Sequence, residues 1–246
     1  MMGVALTPIL MTATAQDKVT VNGHVDLVNN YVWRGMDQNA GFSVQPALGL
    51  SYKGLSLSAW GSQSITNSAE RDVQELDISV GYTLPIGADK TNGGLTVTLT
   101  DYWWGGLHRP YGYYAKGPSD NPIDGGHHLE ATCACNFGSH FPLTIAWSTW
   151  VAGADLHTHS GKRCYSTYIN AAYDISCPAG VTLTPSVGFT PWEGYYHPWA
   201  AVTDISLRAA KSIDISDKIA MPLFVQAIAA PTDDHVYLVA GVGIGF

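Results

Sequence analysis

The sequence predicts an all-β protein, a transmembrane antiparallel up-and-down β-barrel of about 12 strands. Three observations indicate this class. Apolar and polar residues alternate along most of the 246-residue chain, as on a strand whose successive side chains point to opposite faces. Charged residues make up only 13% of the sequence, about half of the ~25% that is usual in soluble domains. No apolar run approaches the ~20 residues of a transmembrane helix, so a membrane-facing surface must arise from the alternation.

The final stretch, His235–Phe246, has one continuous apolar face backed by a mostly small one. One parity carries only apolar side chains and the other mostly small ones: Val236, Leu238, Ala240, Val242, Ile244 and Phe246 on the first face, and Tyr237, Val239, Gly241, Gly243 and Gly245 on the second. A free edge strand of this kind would invite aggregation, whereas a strand that closes a barrel has no free edge. We therefore expect this stretch to pair with strand 1. Its terminal Phe246 resembles the C-terminal signal that the barrel-assembly machinery recognises.

The N-terminal residues fit an export signal. Met1–Thr14 is short, apolar and uncharged, and Ala13-Thr14-Ala15 resembles a signal-peptide cleavage site. The basic region that normally opens such a signal is missing, because the first lysine is Lys18. We interpret residues 1–15 as a truncated signal peptide and residues 16–246 as a single outer-membrane β-barrel domain.

Clusters of Gly, Pro, Asn and Asp divide the chain into twelve predicted strands. Their ranges are Val19–Trp33, Phe42–Tyr52, Leu55–Gln63, Asp72–Leu84, Leu95–Trp104, His128–Phe137, Leu143–Val151, Cys164–Ile175, Val181–Phe189, Asp204–Ile213, Ala220–Ala229 and Val236–Phe246. An even number places both termini on one side of the membrane, predicted to be the periplasm. Connections on that side are short, as at Lys53-Gly54, and those on the other side are long, as at Gly105–Gly126. This segregation is typical of outer-membrane barrels.

The inward parity of these strands predicts a polar lumen. The predicted pore-lining residues are His24, Asp26, Asn30, Arg34, Glu75, Asp77, Glu130, Asn170, Asp174 and Arg208, and the candidates for a constriction are Trp60, Trp150 and Tyr168. Barrels of about 8 strands are filled by side chains, and those of about 16 hold an aqueous channel. Two interpretations stay open for a barrel between these sizes. One is a narrow pore in which the excess of acids favours cations; the other is a plugged interior in which Arg34 and Arg208 neutralise carboxylates.

Aromatic residues gather at both ends of the predicted strands. The predicted membrane girdle comprises Trp33 and Trp103 at the long-loop end, and Tyr52, Tyr82, Tyr173 and Phe246 at the short-turn end. Amphipathic rings at the two membrane interfaces produce such a pattern. The alternative is the aromatic core of a large soluble sandwich.

Three segments carry a family resemblance: N-Y-V-W-R-G-M-D-Q (Asn30–Gln38), Q-P-A-L-G-L-S-Y-K-G-L-S-L-S-A-W-G (Gln45–Gly61) and T-D-Y-W-W (Thr100–Trp104). Together they resemble the TorF family of porins, outer-membrane barrels of the Gcw_chp type. The resemblance is strongest over Asn22–Gly61 and in the closing strand. It implies a barrel fold and a location in the bacterial outer membrane, and it brings no catalytic residues.

The predicted function is that of a porin-like passive channel for small polar solutes or ions. One alternative is a non-conducting structural or accessory barrel of an outer-membrane complex, with a protein partner or a second copy of the chain. Another is a lipid-modifying barrel enzyme. The net charge of −8, with no cluster of Lys and Arg, argues against a nucleic-acid partner. The expected partners are outer-membrane lipid and, during insertion, the barrel-assembly machinery.

The sequence offers little support for catalytic or metal chemistry. No histidine begins an H-x-S pattern, which would place a histidine base beside a serine nucleophile on one strand face. Six histidines lie on the long-loop side, but their spacing is too weak to specify a metal: His108, His127, His128, His157, His159 and His197. The four cysteines have neither disulfide-framework nor zinc spacing. We therefore expect no enzymatic activity, no metal and no cofactor.

Overall fold

The computed structural model describes residues 18–39, 41–66, 74–86, 93–104, 126–156 and 160–246. Within these ranges, no helix is long and apolar enough to cross a membrane. The predicted signal peptide lies outside the described residues, and so does most of the predicted long loop Gly105–Gly126.

The described residues form fifteen β-strands and one short 3-10 helix, Pro178–Gly180. The strands are β1 (Thr20–Val28), β2 (Tyr31–Trp33), β3 (Met36–Asn39), β4 (Ser43–Tyr52), β5 (Leu55–Ser64), β6 (Gln74–Pro85), β7 (Gly94–Trp104), β8 (His127–Asn136), β9 (Leu143–Ala152), β10 (Thr167–Tyr173), β11 (Ile175–Cys177), β12 (Val181–Thr190), β13 (Ala201–Ser216), β14 (Ile219–Ala230) and β15 (His235–Gly245).

The strands of the wall form one closed antiparallel ring. From β1 the order runs through β4, β5, β6, β7, β8, β9, β10, β12, β13, β14 and β15, and β15 pairs with β1 again. β11 continues β10 after a break at Asp174, and both pair with β12. With β10 and β11 counted as one wall strand, the ring contains twelve strands, and the predicted barrel is confirmed. β2 and β3 form a separate hairpin.

The outer surface of the ring is apolar. Along β15, Val236, Leu238 and Ile244 are 77%, 65% and 53% exposed, whereas Val239, on the other parity, is 5% exposed. Other wall strands follow the same rule, with exposed side chains at Leu48, Leu57, Val80, Val97, Leu99, Ile205 and Leu207. Each such side chain gains about 1.5–3 kcal/mol on leaving water, so this surface requires lipid. The predicted outer face of the closing strand is confirmed.

A charge on the outer face is expected to destabilise the barrel far more than the same charge one residue away. Leu99, 44% exposed at the middle of β7, faces outward, and Thr98 faces the lumen. We expect Leu99→Arg to lower the free energy of unfolding by about 2–4 kcal/mol, as for an arginine on the lipid face at the bilayer midplane. We expect Thr98→Arg to lower it by less than about 1 kcal/mol, because a lumen charge can stay hydrated. Urea unfolding in lipid vesicles measures both, and equal losses would contradict the two faces.

Small hydroxyl side chains line much of the inner wall. Neighbouring strands exchange hydrogen bonds there, between Ser79 and Thr100 at 2.9 Å and between Thr132 and Ser148 at 2.8 Å. Towards the short turns, Thr83 and Thr96 are 2.9 Å apart and both are partly exposed. Such side chains reach only a short way from the wall, so this part of the interior is not a packed apolar core.

The predicted first strand, Val19–Trp33, is wrong in its second half, because β1 ends at Val28 and the chain then turns inward. At the break, the side chain of Asn29 takes over from the backbone and forms the next two hydrogen bonds to β15. Its amide nitrogen donates to the Leu238 carbonyl at 3.1 Å, and its amide oxygen accepts from the Ala240 N–H at 2.7 Å. Asn30 then accepts from the N–H of the next residue at 2.9 Å, at the start of β2.

The hairpin β2–β3 folds into the barrel. Its two-residue turn, Arg34-Gly35, has φ angles of 53° and 83°, and this left-handed conformation at both positions is that of a type I′ hairpin. One face of β2 presents Val32, which packs against Ile228 of β14. The other face presents Tyr31 and Trp33 to the aromatic rings of the opposite side. The hairpin therefore spans the lumen between two sides of the wall.

Candidate functional site

An aromatic cluster fills the lumen at the long-loop end of the barrel. We call it the aromatic plug, and its buried members are Tyr31, Trp33, Trp60, Tyr102, Trp150, Tyr168 and Tyr196. They come from β2, from the wall strands β5, β7, β9 and β10, and from the segment 191–200 that follows β12. The three predicted constriction residues, Trp60, Trp150 and Tyr168, all belong to the plug and are 7%, 0% and 3% exposed.

Trp33 occupies a central position in the plug. Its ring centroid lies 5.8 Å from that of Tyr102, 6.5 Å from that of Trp150 and 5.7 Å from that of Tyr196. These separations fall in the range of about 4.5–7 Å that aromatic pairs prefer. Rings from the hairpin, the wall and the segment 191–200 are therefore in mutual contact, and the removal of any one leaves a cavity.

Arg34, at the tip of the hairpin, clamps the plug to the wall. Its two terminal nitrogens donate to the two carboxylate oxygens of Glu130 on β8, at 2.6 and 2.7 Å. Its guanidinium lies 4.5 Å from the ring centroid of Trp33 and 4.6 Å from that of Tyr168. Arg34 is 8% exposed and Glu130 is 1% exposed, so this is a buried bidentate pair with aromatic rings around the cation. The structure thus brings two of the predicted pore-lining residues together.

Tyr196 adds a third partner to this clamp. Nη1 of Arg34 donates to its hydroxyl, which in turn lies 3.5 Å from a carboxylate oxygen of Glu130. Burial raises the pKa of Tyr196 well above the usual value, so the phenol keeps its proton and can donate to the carboxylate. Charge neutralisation by Arg34, one of the two sequence interpretations, is therefore seen at Glu130.

The segment 191–200 is fixed in the lumen by a buried hydrogen-bond relay. The N–H of Tyr195 donates to the Ser166 hydroxyl at 2.6 Å, and that hydroxyl donates to Asp155. The Ser166 N–H donates to the other carboxylate oxygen of Asp155 at 2.9 Å. Asp155 and Ser166 are 3% and 0% exposed, so the relay is dry and holds the segment against the wall.

Sequence reasoning missed Tyr31, Tyr102 and Tyr196 as members of the plug. Tyr102 shares the inward parity of the threonines that precede it on β7, so the alternation could have revealed it. Tyr31 depends on the break after β1, for which Asn29 was a signal of moderate strength. Tyr196 lies outside the strands, where no periodicity applies.

A side chain at Gly35 is expected to dislodge the hairpin. A Cβ atom there would lie 2.4 Å from the backbone oxygen of Thr203, in addition to the strain of a positive φ. Gly180 is the matched control, because its φ of +71° is similar and a Cβ would meet nothing within 4 Å. We expect Gly180→Ala to lower the free energy of unfolding by about 1 kcal/mol and Gly35→Ala by clearly more, with increased protease access to β2–β3. Urea unfolding and limited proteolysis in vesicles would show this, and equal effects would contradict the docking.

Two predicted pore-lining carboxylates lie in the plug, and no described residue supplies a counter-ion for them. Glu75 and Asp77 point inward from β6 and are 1% and 6% exposed. Both carboxylate oxygens of Glu75 and one of Asp77 have no hydrogen-bond partner among the described residues. Three of their four cross-strand neighbours are aromatic: Trp104 faces Glu75, and Trp60 and Tyr102 face Asp77. The fourth is Ser62, which also faces Glu75.

Three other predicted pore-lining residues lie on the side of the wall around β1 and β13. Nε2 of His24 is 3.6 Å from a carboxylate oxygen of Asp26, which is 7% exposed. The guanidinium of Arg208 lies 3.8 Å from the ring centroid of Phe224, and within the described part of the chain it forms no ion pair. Unlike Arg34, Arg208 is therefore not clamped to a carboxylate.

The remaining predicted pore-lining residues have local roles. The side chain of Asn170 is 6% exposed and donates to the Val187 carbonyl at 3.1 Å. Asp174 is exposed at the break between β10 and β11, where it accepts from the Thr184 hydroxyl at 2.6 Å. Asn30 caps the hairpin, as described above. Of these three, Asn170 also contacts the plug, because its amide nitrogen lies 3.4 Å from the Tyr168 hydroxyl.

The two predicted girdle residues at the long-loop end are buried. Trp33 lies in the plug and is 5% exposed, because β2 has left the wall. Trp103 has the outward parity on β7, yet its side chain is fully buried and does not reach the lipid surface. At the short-turn end, the predicted residues are exposed or partly exposed: Tyr52 (42%), Tyr82 (48%), Phe246 (68%) and Tyr173. Their contact with the membrane interface stays a prediction.

Metal-ligating side chains do not converge in the part of the chain that the structure describes, where no group of three or more His, Cys, Asp or Glu could hold an ion. Of the long-loop histidines, His108, His157 and His159 lie outside the described residues. All four cysteines are free, and Cys133 is exposed with the outward parity of β8.

A closed antiparallel ring with an apolar outer surface and a polar lumen defines the class of protein, an outer-membrane β-barrel. The chain belongs to the family Gcw_chp, described as "Bacterial protein of unknown function", whose model matches residues 12–238. Bacterial barrels of this class lie in the outer membrane, which is the predicted location.

Two solved structures have a similar fold. One is the NanC porin, with a TM-score of 0.56, 8% sequence identity, and coverage of 92% of this chain and 99% of that chain. The other is the KdgM porin in complex with disordered oligogalacturonate, with a TM-score of 0.51, 8% identity, and coverage of 93% and 98%. At this level of identity the likeness establishes the fold alone. A search of curated proteins by sequence gives no match.

Proposed function

We propose that the protein is a porin-like channel through which small polar solutes or ions diffuse passively across the outer membrane. The observation that carries the proposal is the polar lining of the lumen. Barrels that serve only as membrane anchors can be filled by packed side chains, whereas hydroxyls and carboxylates face the axis here. Polar groups inside a membrane mark a pathway more often than a core, because leaving them dry is costly.

The aromatic plug sets the width of this path at its long-loop end. The hairpin that carries Tyr31 and Trp33 lies outside the ring of wall strands, since β2 and β3 pair with each other in a sheet of their own. Its tip is held by Arg34 and Glu130. Displacement of the hairpin therefore widens the lumen without breaking the wall ladder, and the clamp determines how readily this occurs.

Planar-bilayer recording tests the proposal. The purified protein is expected to give discrete conductance steps in potassium chloride, and detergent without protein is expected to give none. Discrete steps that change in size when a plug residue is changed would assign the current to this lumen. If neither the wild type nor a variant without the Arg34 side chain gives steps, the channel function is wrong.

One observation favours a second function, that of a non-conducting structural or accessory barrel. Seven buried aromatic residues and a buried ion pair occupy one end of the lumen. A barrel sealed in this way would act through its loops or its lipid face, on a protein partner or on a second copy of the chain. Cross-linking in intact membranes separates the two functions: a stoichiometric complex together with silence in bilayers supports the accessory role.

We also infer that the chain is close to the TorF porins within its family. The segment Asn30–Gln38, which carries that resemblance, contains the whole turn Arg34-Gly35 of the hairpin. The proposal includes no enzymatic role, since the sequence has no H-x-S pattern. We propose further that both termini lie in the periplasm, that the signal peptide is cleaved, and that the barrel-assembly machinery inserts the chain. Protease accessibility, in intact cells, of a tag inserted directly after Ala15 would test the orientation.

A further inference from the structure

We propose that the lumen binds a small organic cation, with an ammonium or guanidinium group, at Glu75 and Asp77. This inference rests on the channel function proposed above and deepens it, because it names the class of solute. The site consists of the two carboxylates and the aromatic rings of Tyr31, Trp60 and Trp104. We call it the acidic cage.

The carboxylates of the cage lack the partners that buried charges normally have. Glu75 and Asp77 are two residues apart on the inner face of β6, and three of their four carboxylate oxygens have no hydrogen-bond partner among the described residues. A buried carboxylate without a partner is strongly unfavourable, so such a site binds a cation or shares a proton.

The two arginines that the described part of the chain places in the lumen have contacts away from Glu75 and Asp77. Both terminal nitrogens of Arg34 donate to Glu130, and the guanidinium of Arg208 lies over Phe224. No described residue forms an ion pair with Glu75 or Asp77. Glu130 is paired with Arg34, and Asp204 accepts from the Tyr168 hydroxyl at 2.9 Å. The two carboxylates on β6 are therefore the ones for which the described residues supply no cation.

The walls of the cage are aromatic faces. Trp60 is the direct cross-strand neighbour of Asp77, and its ring centroid lies 5.5 Å from that of Tyr31. Trp104 is the direct neighbour of Glu75, and Tyr31 also lies close to that carboxylate. Aromatic faces attract desolvated organic cations through the ring quadrupole. A bare metal ion would instead need more oxygen ligands than two carboxylates supply.

Arg34 shows that this lumen accommodates such a group. Its guanidinium is held by one carboxylate, Glu130, with the rings of Trp33, Tyr168 and Tyr196 at 4.5, 4.6 and 5.3 Å. The acidic cage repeats this combination of carboxylate and aromatic rings with two carboxylates and, among the described residues, no side-chain cation. A solute that carries the same group would find the same contacts there.

A further acceptor lies in the same row of the wall. The amide oxygen of Gln45, whose side chain is fully buried, has no hydrogen-bond partner among the described residues. The amide nitrogen of Gln45 donates to the Ser62 hydroxyl at 3.2 Å, and Ser62 is the direct cross-strand neighbour of Glu75. An ammonium group has three donors, and two carboxylates and an amide oxygen can accept from all three.

Binding can be measured without conduction, by tryptophan fluorescence of the full-length protein in detergent. We expect ethylammonium chloride and guanidinium chloride, at concentrations that do not denature, to give a saturable change, and potassium chloride at equal ionic strength to give none. We expect Glu75→Gln/Asp77→Asn to weaken binding by about tenfold or more, since hydrogen bonds to a charged group contribute about 1.5–3 kcal/mol. Asp174→Asn, which removes an exposed acid at the break between β10 and β11, should leave the affinity unchanged.

Several results would overturn the proposal. One is the absence of a saturable change in the wild type, which is expected if the two acids share a proton. Another is an equal response to potassium. A third is an equal loss of affinity in the double variant and in Asp174→Asn. Heat-modifiable gel mobility verifies that each variant is folded. If the double variant does not fold, the comparison of ethylammonium with potassium in the wild type tests the proposed binding by itself. If the protein conducts but binds neither ethylammonium nor guanidinium, the channel function stands and the cation site is wrong. The two failures are therefore distinguishable.

Discussion

Replacement of Arg34 by methionine is expected to release the hairpin β2–β3 and to increase the single-channel conductance severalfold. Methionine keeps much of the side-chain volume but donates no hydrogen bonds, so Glu130, 1% exposed, is left buried without its counter-ion. Breaking a buried pair in this way costs about 3–5 kcal/mol. Withdrawal of the hairpin, which lets water reach Glu130, relieves that cost. Bilayer recording measures the conductance, and urea unfolding in vesicles measures the stability.

The double variant Arg34→Met/Glu130→Gln is the matched control for charge. It removes both partners, so no uncompensated charge remains, and it is expected to recover most of the stability lost in Arg34→Met. The conductance should fall between those of the wild type and the single variant, because the plug rings still pack. A single variant within about 1 kcal/mol of the wild type, with unchanged conductance, would show that the clamp does not hold the hairpin.

Replacement of Trp150 by alanine is expected to produce the second large effect. Trp150 is fully buried, and its ring centroid lies 4.6 Å from that of Tyr195 and 5.8 Å from that of Trp104. Truncation of a buried tryptophan costs about 3–5 kcal/mol, through lost transfer free energy and the cavity that remains. Because that cavity lies in the lumen, it should fill with water and also raise the conductance. Unfolding in vesicles and bilayer recording measure the two effects separately.

Trp147 on the same strand provides the control. It has the opposite parity on β9 and is 45% exposed towards lipid. Trp147→Ala should lower the stability by much less than Trp150→Ala and leave the conductance unchanged, because no lumen contact is lost. If the two variants had the same conductance, the plug would not lie on the path of the current.

The wall of the barrel could be predicted from the sequence because each strand is specified by its own residues. Side-chain parity is fixed by the strand itself, so the inward placement of Glu75, Asp77 and Glu130 required only the alternation of their own strands. Turn residues between apolar runs mark the ends of strands, which is why twelve wall strands were predictable. The constriction residues Trp60, Trp150 and Tyr168 could be predicted for the same reason, because they are large rings on the inward parity.

The hairpin was not predicted, because its apolar residues continue the alternation of β1 across the break. Tyr31 and Trp33 have the parity of Leu27, and parity alone cannot tell a ring that faces lipid from one that faces the lumen. The break depends on Asn29, whose partners, residues 238 and 240, lie at the far end of the chain.

The pairing of Arg34 with Glu130 is likewise a property of the closed ring. The two residues are 96 positions apart, and each is acceptable alone as a hydrated lumen charge. Only the folding of the hairpin across the lumen brings them within 2.6 Å. The neutralised carboxylate and the two that remain without a partner therefore could not be distinguished from the sequence.

The junction of β1 with β15 has a consequence for the time course of assembly. Gly23 and Phe246 exchange backbone hydrogen bonds of 3.1 and 2.9 Å, and only five residue pairs from His24 to Val28 complete this junction, against nine between β1 and β4. Joining segments so distant in the chain adds little to the entropic cost at equilibrium but slows formation. Until β1 pairs with β15, the nascent sheet has two free edge strands with unpaired backbone N–H and C=O groups. The shorter of the two junctions of β1 therefore sets the time during which the open barrel must be kept from associating with other chains.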